Sequence, residues 1–182
     1  LKSGITEAGS EAVSSHTGSL AGSERAYRAA FRKAGVLWAN EWRDLFDWGL
    51  ALTQQPKLRG RRIAVVTNAG GPGILTTDAL GGSQLSLARL EDGTVEALRE
   101  ALPEEAVTGN PVDVLGDAGP ERYGAALRTV LGDANVDGAV VILTPQILTD
   151  IKGTAQVLVD MAEGSEKPIV GCFMGEETTD EG

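Results

Sequence analysis

The 182-residue chain holds one histidine, His16, and one cysteine, Cys172. A lone cysteine forms no internal disulfide. Placed in the apolar run "PIVGCF" (168–173), it reads as a small core hydrophobe in a reducing compartment. With no second histidine and Cys172 set in a strand, a His/Cys metal site lacks partners, and none is expected. Cations are scarce too: 16 Lys and Arg stand against 26 Asp and Glu, for a net charge of -10. That balance argues against nucleic acid or an anionic membrane as partner, because both require a cationic face. Apolar runs such as "AVVIL" (139–143) are far too short to cross a bilayer. No charged segment leads into an apolar one at the N-terminus, so no signal peptide is expected, and a cytoplasmic location is. The chain begins with Leu1 rather than Met, which reads as an excised or processed piece.

What is present is core-forming material, 42% hydrophobic residues, enough for one large domain or one domain plus part of another. Residues 1–22 are rich in Gly, Ser, Thr and Ala without an apolar period and predict a loop. "SERAYRAAFRKAG" (23–35) predicts a helix with Ser23 as N-cap, an apolar stripe of Tyr27, Ala30, Phe31 and Ala34, and Gly35 at the C-terminus. "VLWA" (36–39) suggests a short strand. A second helix from an Asn40 cap sets Trp42, Leu45, Phe46 and Gly49 on one face. Trp38, Trp42 and Trp48 all fall here, and a core or interface role is expected for them.

Residues 56–61, broken by Pro56 and Gly60, read as a linker. Beyond it, short β-branched runs alternate with helical segments. "RIAVVTN" is followed by "AGGPG" and a helix "ILTTDAL"; "LSLARL" by "TVEALREAL", closed by Pro103. "NPVDVLGD" precedes a helix with Pro120 in its first turn. "VDGAVVILT", the amphipathic "DIKGTAQVLVDMAEG" and "KPIVGCF" complete the series. This alternation predicts an α/β fold with a doubly wound parallel sheet.

In such a sheet, ligands bind where strands end and loops lead into helices. "TNAGGPG" (67–73) lies there. Asn68, Ala69, Gly70, Gly71 and Gly73 would present backbone N–H groups to an anion, aided by the following helix dipole. Ile74-Leu75 follow where a Walker A loop would need Lys and Ser or Thr, so nucleotide machinery is not implied. The same glycines also suit a tight strand-to-helix turn. Asn110 and Asp113 of "GNPVDV", with Thr144 and Gln146 of "TPQ", are weaker anion contacts near the same edge, or simply loop architecture. His16 sits in "SSHTG" (14–18), flanked by Ser15, Thr17 and Gly18. No G-x-S-x-G elbow supports a hydrolase triad. A nucleophile that carries a phosphoryl group as a phosphoramidate, a general base and an incidental surface residue all remain open.

Four segments in order, "KSGITEAGSEAVSSHTGSLAGS", "VVTNAGGPGILTTDAL", "GNPVDVLGDAGPERY" and "VVILTPQ", resemble the α-subunit of ADP-forming acyl-CoA synthetases of the acetate–CoA ligase type, relatives of succinyl-CoA synthetase. The resemblance covers essentially the whole chain. It implies the reaction acyl-CoA + ADP + phosphate to acid + CoA + ATP, through an acyl phosphate and a phosphohistidine, here His16 on a swinging loop. It implies phosphate held by Asn68 to Gly73. It also implies a flavodoxin-like domain over 62–182, preceded, over 1–55, by the C-terminal part of a second succinyl-CoA-ligase-like α/β domain. By the same resemblance the chain is a fragment, inactive alone. It would lack the CoA-binding domain, the first domain's phosphate-binding helix and histidine-orienting carboxylate, and the ATP-grasp segment that takes ADP or ATP with Mg²⁺, and it would stop before its last helix. "GGSQ" (81–84) replaces a more helical segment of the family. The expected partners are those missing parts, an acyl substrate and an oligomeric assembly. A second reading is a non-catalytic ligand-sensing module of a protein acyltransferase, in which the histidine is often lost. A third, a plain interaction module, predicts no phosphate affinity at the glycine turn.

Overall fold

The computed structural model describes residues 1–17 and 22–175 and divides the chain into two compact units, Leu1–Thr53 and a second beginning at Gln54.

The first unit is helical: α1 (Glu7–Thr17), α2 (Glu24–Ala34) and α3 (Trp42–Gln54). The loop expected over 1–22 is in large part α1. Thr6 makes this possible: its Oγ1 accepts from Gly9 N at 3.1 Å, satisfying one of the orphan donors of the first turn. Glu7 adds a favourable charge at that end. Ser23 occupies the N-cap of α2 without a side-chain bond, and Gly35 closes the helix in the left-handed region at φ 69°. The cap of α3 comes not from Asn40 but from Asp44, whose carboxylate accepts from the backbone N–H of Asn40 at 3.1 Å and Glu41 at 3.3 Å. "VLWA" pairs with no strand.

Nor do α2 and α3 bury an apolar stripe; neither contains a buried residue, and Trp42 and Phe46 are about two-thirds exposed at 66% and 65%. Of the core-or-interface role expected for the tryptophans, the core half is not met: Trp42 and Trp48 are exposed and Trp38 is half-buried. The rings pack on one another instead. Tyr27 meets Phe31 edge-on at 5.8 Å, Phe31 meets Trp38 at 5.6 Å, and the Arg28 guanidinium lies 4.4 Å over Trp38.

The second unit is a five-stranded sheet of parallel strands: β1 (Arg62–Thr67), β2 (Ser86–Leu87), β3 (Val112–Asp113), β4 (Gly138–Leu143) and β5 (Ile169–Phe173). The order is β2-β1-β4-β5, and β3 also pairs with β1. Four helices intervene: α4 (Gly70–Gly81), α5 (Asp92–Ala101), α6 (Pro120–Gly132) and α7 (Ile151–Glu163). This is the doubly wound, flavodoxin-like architecture expected.

The two-residue period of the strands sorts the core into two layers. Ala64, Val66, Val112, Ala139, Val141 and Leu143 face α5, α6 and α7, with Leu98, Tyr123, Leu127 and Leu158 filling the space between. Ile63, Val65 and Ile142 face the other way, toward Leu80 of α4. Pro120 takes the first position of α6, where its missing N–H costs nothing, and Asp150 caps α7 by accepting from Gly153 N.

Cys172 is exposed rather than buried. In β5, Ile169 and Phe173 pack against the α5–α6–α7 layer, while Val170 and Cys172 point to the opposite face. There α4 sits against β1 and β2, two strands away, so among the described residues of this unit no helix covers the edge strand on that side.

"LSLARL" yields only the two-residue β2, because the same edge of β1 is shared. β2 pairs with Arg62 and Ile63 at its start, and β3 with Val66 and Thr67 at its end. Between them the side chain of Asn110 replaces a strand. Its Oδ1 accepts from Val65 N at 2.9 Å, and its Nδ2 donates to Ile63 O and Ala88 O, both at 2.9 Å.

The opposite end of β1 is anchored by Asp137. Its carboxylate accepts from the Arg62 guanidinium through Nε at 2.9 Å and Nη2 at 2.8 Å, and from the N–H groups of Arg61 and Arg62. The Arg62 side-chain bond, then those backbone donors, hold this carboxyl well below the ordinary carboxylate range against its partial burial. Bonding to Arg122 lowers Asp117 in the same sense. A depressed folded-state pKa contributes stability that is complete above the unfolded value, about 4, and is lost as pH falls further. Thermal unfolding midpoints should thus hold steady above about pH 5 and fall steeply between about pH 4 and 2. Asp137→Asn should lower the neutral-pH midpoint and flatten that acid limb; an unchanged limb would remove Asp137 from the account.

Candidate functional site

The C-terminal ends of β1, β3 and β4 share one edge of the sheet, which brings together Asn68–Gly73, Asp113 and Thr144–Gln146. His16 with Ser15 and Thr17 belongs to the first unit, in the last turn of α1. His16 and Ser15 are exposed, and the His16 side chain has no hydrogen bond to another described residue. Gly18 lies outside the described residues.

The glycine turn is shorter than the sequence suggests. α4 begins at Gly70, with Ala69 as N-cap, so "GGPG" is the first turn of the helix rather than a loop before "ILTTDAL". Pro72 fits there because a first-turn residue has no intrahelical acceptor for an N–H. Thr67, fully buried, closes the approach: its Oγ1 accepts from Ala69 N at 3.1 Å and donates to Ala69 O at 2.9 Å. The Ala69 N–H is therefore committed internally.

Gly73 N–H points back to Ala69 O, and Gly73 is buried. A Cβ there would lie 3.1 Å from Thr67 Cγ2 and 3.4 Å from Pro111 Cβ, so this glycine serves the close seating of α4 on the sheet. Of the donors singled out in the sequence, Gly70 and Gly71 keep exposed backbone N–H groups with no acceptor among the described residues. They stand at the positive end of a 12-residue helix.

Asn68 is buried at 2% exposure, and its side chain is fully engaged: Nδ2 donates to Thr144 O, and Oδ1 accepts from Thr144 N, both at 2.8 Å. It ties the end of β1 to the end of β4 rather than reaching for a ligand. Beneath it Tyr123, fully buried, donates from its hydroxyl to Ile142 O at 3.0 Å. Burial, then the nearby Asp113 charge, push the phenol far above its ordinary range, so Tyr123 stays a neutral donor. Sequence reading gave no role to Thr67 or Tyr123. A Thr closing a strand before a glycine turn was the available signal for the first.

Asn110 is spent on the backbone, as described, and offers nothing to an anion. Asp113 ends β3 with Oδ1 accepting from Leu115 N at 2.9 Å. Gln146 is exposed, and its amide lies against Gly116. Thr144 contributes its backbone to Asn68 and its hydroxyl to Met174 Sδ at 3.7 Å. The site is thus two free N–H donors on a rigid base, a carboxylate at its side and an exposed amide on the neighbouring loop. Among the described residues no cluster of three or more His, Cys, Asp or Glu side chains could hold a metal ion, and no helix is long and apolar enough to cross a membrane.

Two family models match the chain: the succinyl-CoA ligase like flavodoxin domain over residues 1–52 and the ligase-CoA domain over 63–182. Among curated relatives, the acetate–CoA ligase [ADP-forming] I of Archaeoglobus fulgidus is 43% identical over 181 residues, 100% of this chain and 25% of the relative. The acetate–CoA ligase [ADP-forming] II subunit alpha of Pyrococcus furiosus is 41% identical, covering 96% of this chain and 39% of the relative. Among solved structures, the acetyl-coenzyme A synthetase 1 of Ca. Korarchaeum cryptofilum, in complex with phosphate and ADP, superposes with a TM-score of 0.83 at 33% identity, over 100% of this chain and 39% of that one. The chain therefore spans a quarter to two-fifths of the length of these relatives.

Proposed function

Since the chain belongs to the ADP-forming acyl-CoA synthetases of the succinyl-CoA synthetase superfamily, we propose that it supplies the phosphoryl-carrying part of such an enzyme: acyl-CoA + ADP + phosphate to acid + CoA + ATP. The pair of unpaired N–H groups of Gly70 and Gly71 at the start of α4, on the ligand edge of the sheet, carries this reading. Backbone dipoles suit an anion site on a chain of net charge -10, because they add attraction without requiring a cationic surface.

His16 is the nucleophile. A neutral imidazole nitrogen attacks the phosphorus of an acyl phosphate. The N–P bond forms as the bond from phosphorus to the acyl oxygen breaks, and the carboxylate leaves as the acid. A terminal oxygen of ADP then takes the phosphoryl group, giving ATP and regenerating the imidazole. Gly70 and Gly71 hold the phosphate, and Asn68, Thr67 and Tyr123 hold Gly70 and Gly71. The CoA-binding domain, the ATP-grasp segment that takes ADP or ATP, and the Mg²⁺ that accompanies the nucleotide are assigned to other segments or subunits of the assembly. No step is assigned to a metal on this chain. The relatives named above are acid–CoA ligases and none is a protein acyltransferase, which leaves the sensor reading without support.

The test supplies the remaining segments, Mg²⁺ and ATP labelled at its γ-phosphate, and looks for an acid-labile, base-stable label on this polypeptide. Absence of label with nucleotide demonstrably bound would overturn the proposal.

A further inference from the structure

Residues 56–61, read from the sequence as a linker, lie along the second unit. From Gln55 to Arg61 the chain crosses the starts of three neighbouring strands, and each crossing has its own contact. At β5, Gln55 Oε1 accepts from Ile169 N at 3.0 Å. At β4, Leu58 sits over Gly138: a Cβ on that glycine would lie 2.9 Å from Leu58 Cδ1 and 3.1 Å from Pro168 Cγ. The seat for Leu58 is therefore open because residue 138 has no side chain. At β1, a Cβ on Gly60 would run into the Asp137 carboxylate, whose Oδ2 accepts from Arg61 N at 2.9 Å. The sequence β5, β4, β1 is the order of these strands in the sheet.

Local chemistry favours the same path. Pro56 fixes its own φ and holds Gln55 in extended backbone, which lowers the entropy lost on docking. The Arg59–Glu166 pair at 3.6 Å is almost wholly exposed and adds little. Arg62, Gly138 and Ile169 are the first residues of their strands, so these contacts lie at the end of the sheet opposite the Asn68–Gly73 turn. Seven undocked residues could span about 24 Å. Docked, they leave the connection to the first unit only at the end of α3, at Gln54.

We infer that residues 55–61 form a docked strap, a conformational device that replaces a flexible spacer by a short pivot at the C-terminal end of α3. The reach of the first unit, which carries His16, is set by that pivot and not by the length of the connection. The strap rests on the contacts above and stands whether or not the phosphate reading does.

The experiment measures backbone nitrogen-15 relaxation on the 182-residue chain. Order parameters at Lys57, Leu58, Arg59 and Gly60 should match those of β1, about 0.85, where a flexible linker gives values below about 0.6. Gln55→Ala combined with Leu58→Ser removes the contacts at β5 and β4 and keeps the Asp137 anchor. Order at 57–59 should then fall below about 0.6 while β1 and β4 keep theirs. Trypsin reads the same change independently, since Lys57 and Arg59 are exposed, and it should cut there at least about tenfold faster in the double variant. Values below about 0.6 in the unsubstituted chain would overturn the strap. So would equal order and equal cutting in the two chains, because these contacts would then not be what holds the segment.

Discussion

His16→Ala should abolish phosphoryl labelling of this polypeptide and lower ATP-forming turnover of the complete enzyme by at least about four orders of magnitude, the scale on which removal of a covalent nucleophile acts. No other imidazole exists in the chain to take over. The neighbouring Ser15 hydroxyl is a far weaker nucleophile near neutrality, and Ser15→Ala should keep its label. Because His16 is exposed in the last turn of α1 and its side chain bonds to no other described residue, its loss should leave thermal stability within about 0.5 kcal/mol of the starting value. The pairing of abolished chemistry with unchanged stability separates a carrier from a structural histidine. Retained labelling in His16→Ala would refute the carrier role outright.

Asn110→Ala should destabilise the second unit by about 3 kcal/mol without touching any nucleophile. Asn110 bridges the stretch of β1 that neither β2 nor β3 reaches, and Val65, whose N–H it satisfies, is fully buried. Truncation leaves that donor without an acceptor and strips one bond each from Ile63 O and Ala88 O. Asn110→Asp tests the account further. It keeps an acceptor for Val65 N but sets a carboxylate oxygen against two carbonyls, so it should be at least as damaging as alanine despite its near-identical shape. Urea unfolding with an unchanged slope would read the loss directly. A cost below about 0.5 kcal/mol for both variants would mean that water replaces the side chain.

The two variants divide the sequence motifs by what they are for. "GNPVDV" and "TNAGGPG" both look like ligand loops, because Asn, Asp and Gly at strand ends are equally the residues of anion sites and of tight connections. In the fold, Asn110 and Asn68 go wholly to the backbone, Thr67 takes the Ala69 N–H, and Gly73 makes room for a helix. Gly70, Gly71 and one oxygen of Asp113 keep unclaimed hydrogen-bonding capacity at the centre of that edge. The edge was legible from the alternation of strand and helix; the ownership of each polar group was not.

Some features follow from the sequence alone. β-Branched runs that become strands, Pro120 opening α6, Gly35 closing α2 and the order of elements in a doubly wound sheet are consequences of periodicity, proline and glycine, which act within a few residues. The uniqueness of His16 and the absence of a Walker lysine are likewise plain in the string. Others depend on residues far apart in the chain. Cys172 is exposed because α4 lies over β1 and β2, and no other described helix of this unit covers β5 on that side. Asn110 is a strand surrogate because β2 and β3 each pair with only part of β1. Strand order and register are set by packing across the whole unit, and they decide which donors and acceptors meet and which N–H groups find no acceptor among the described residues.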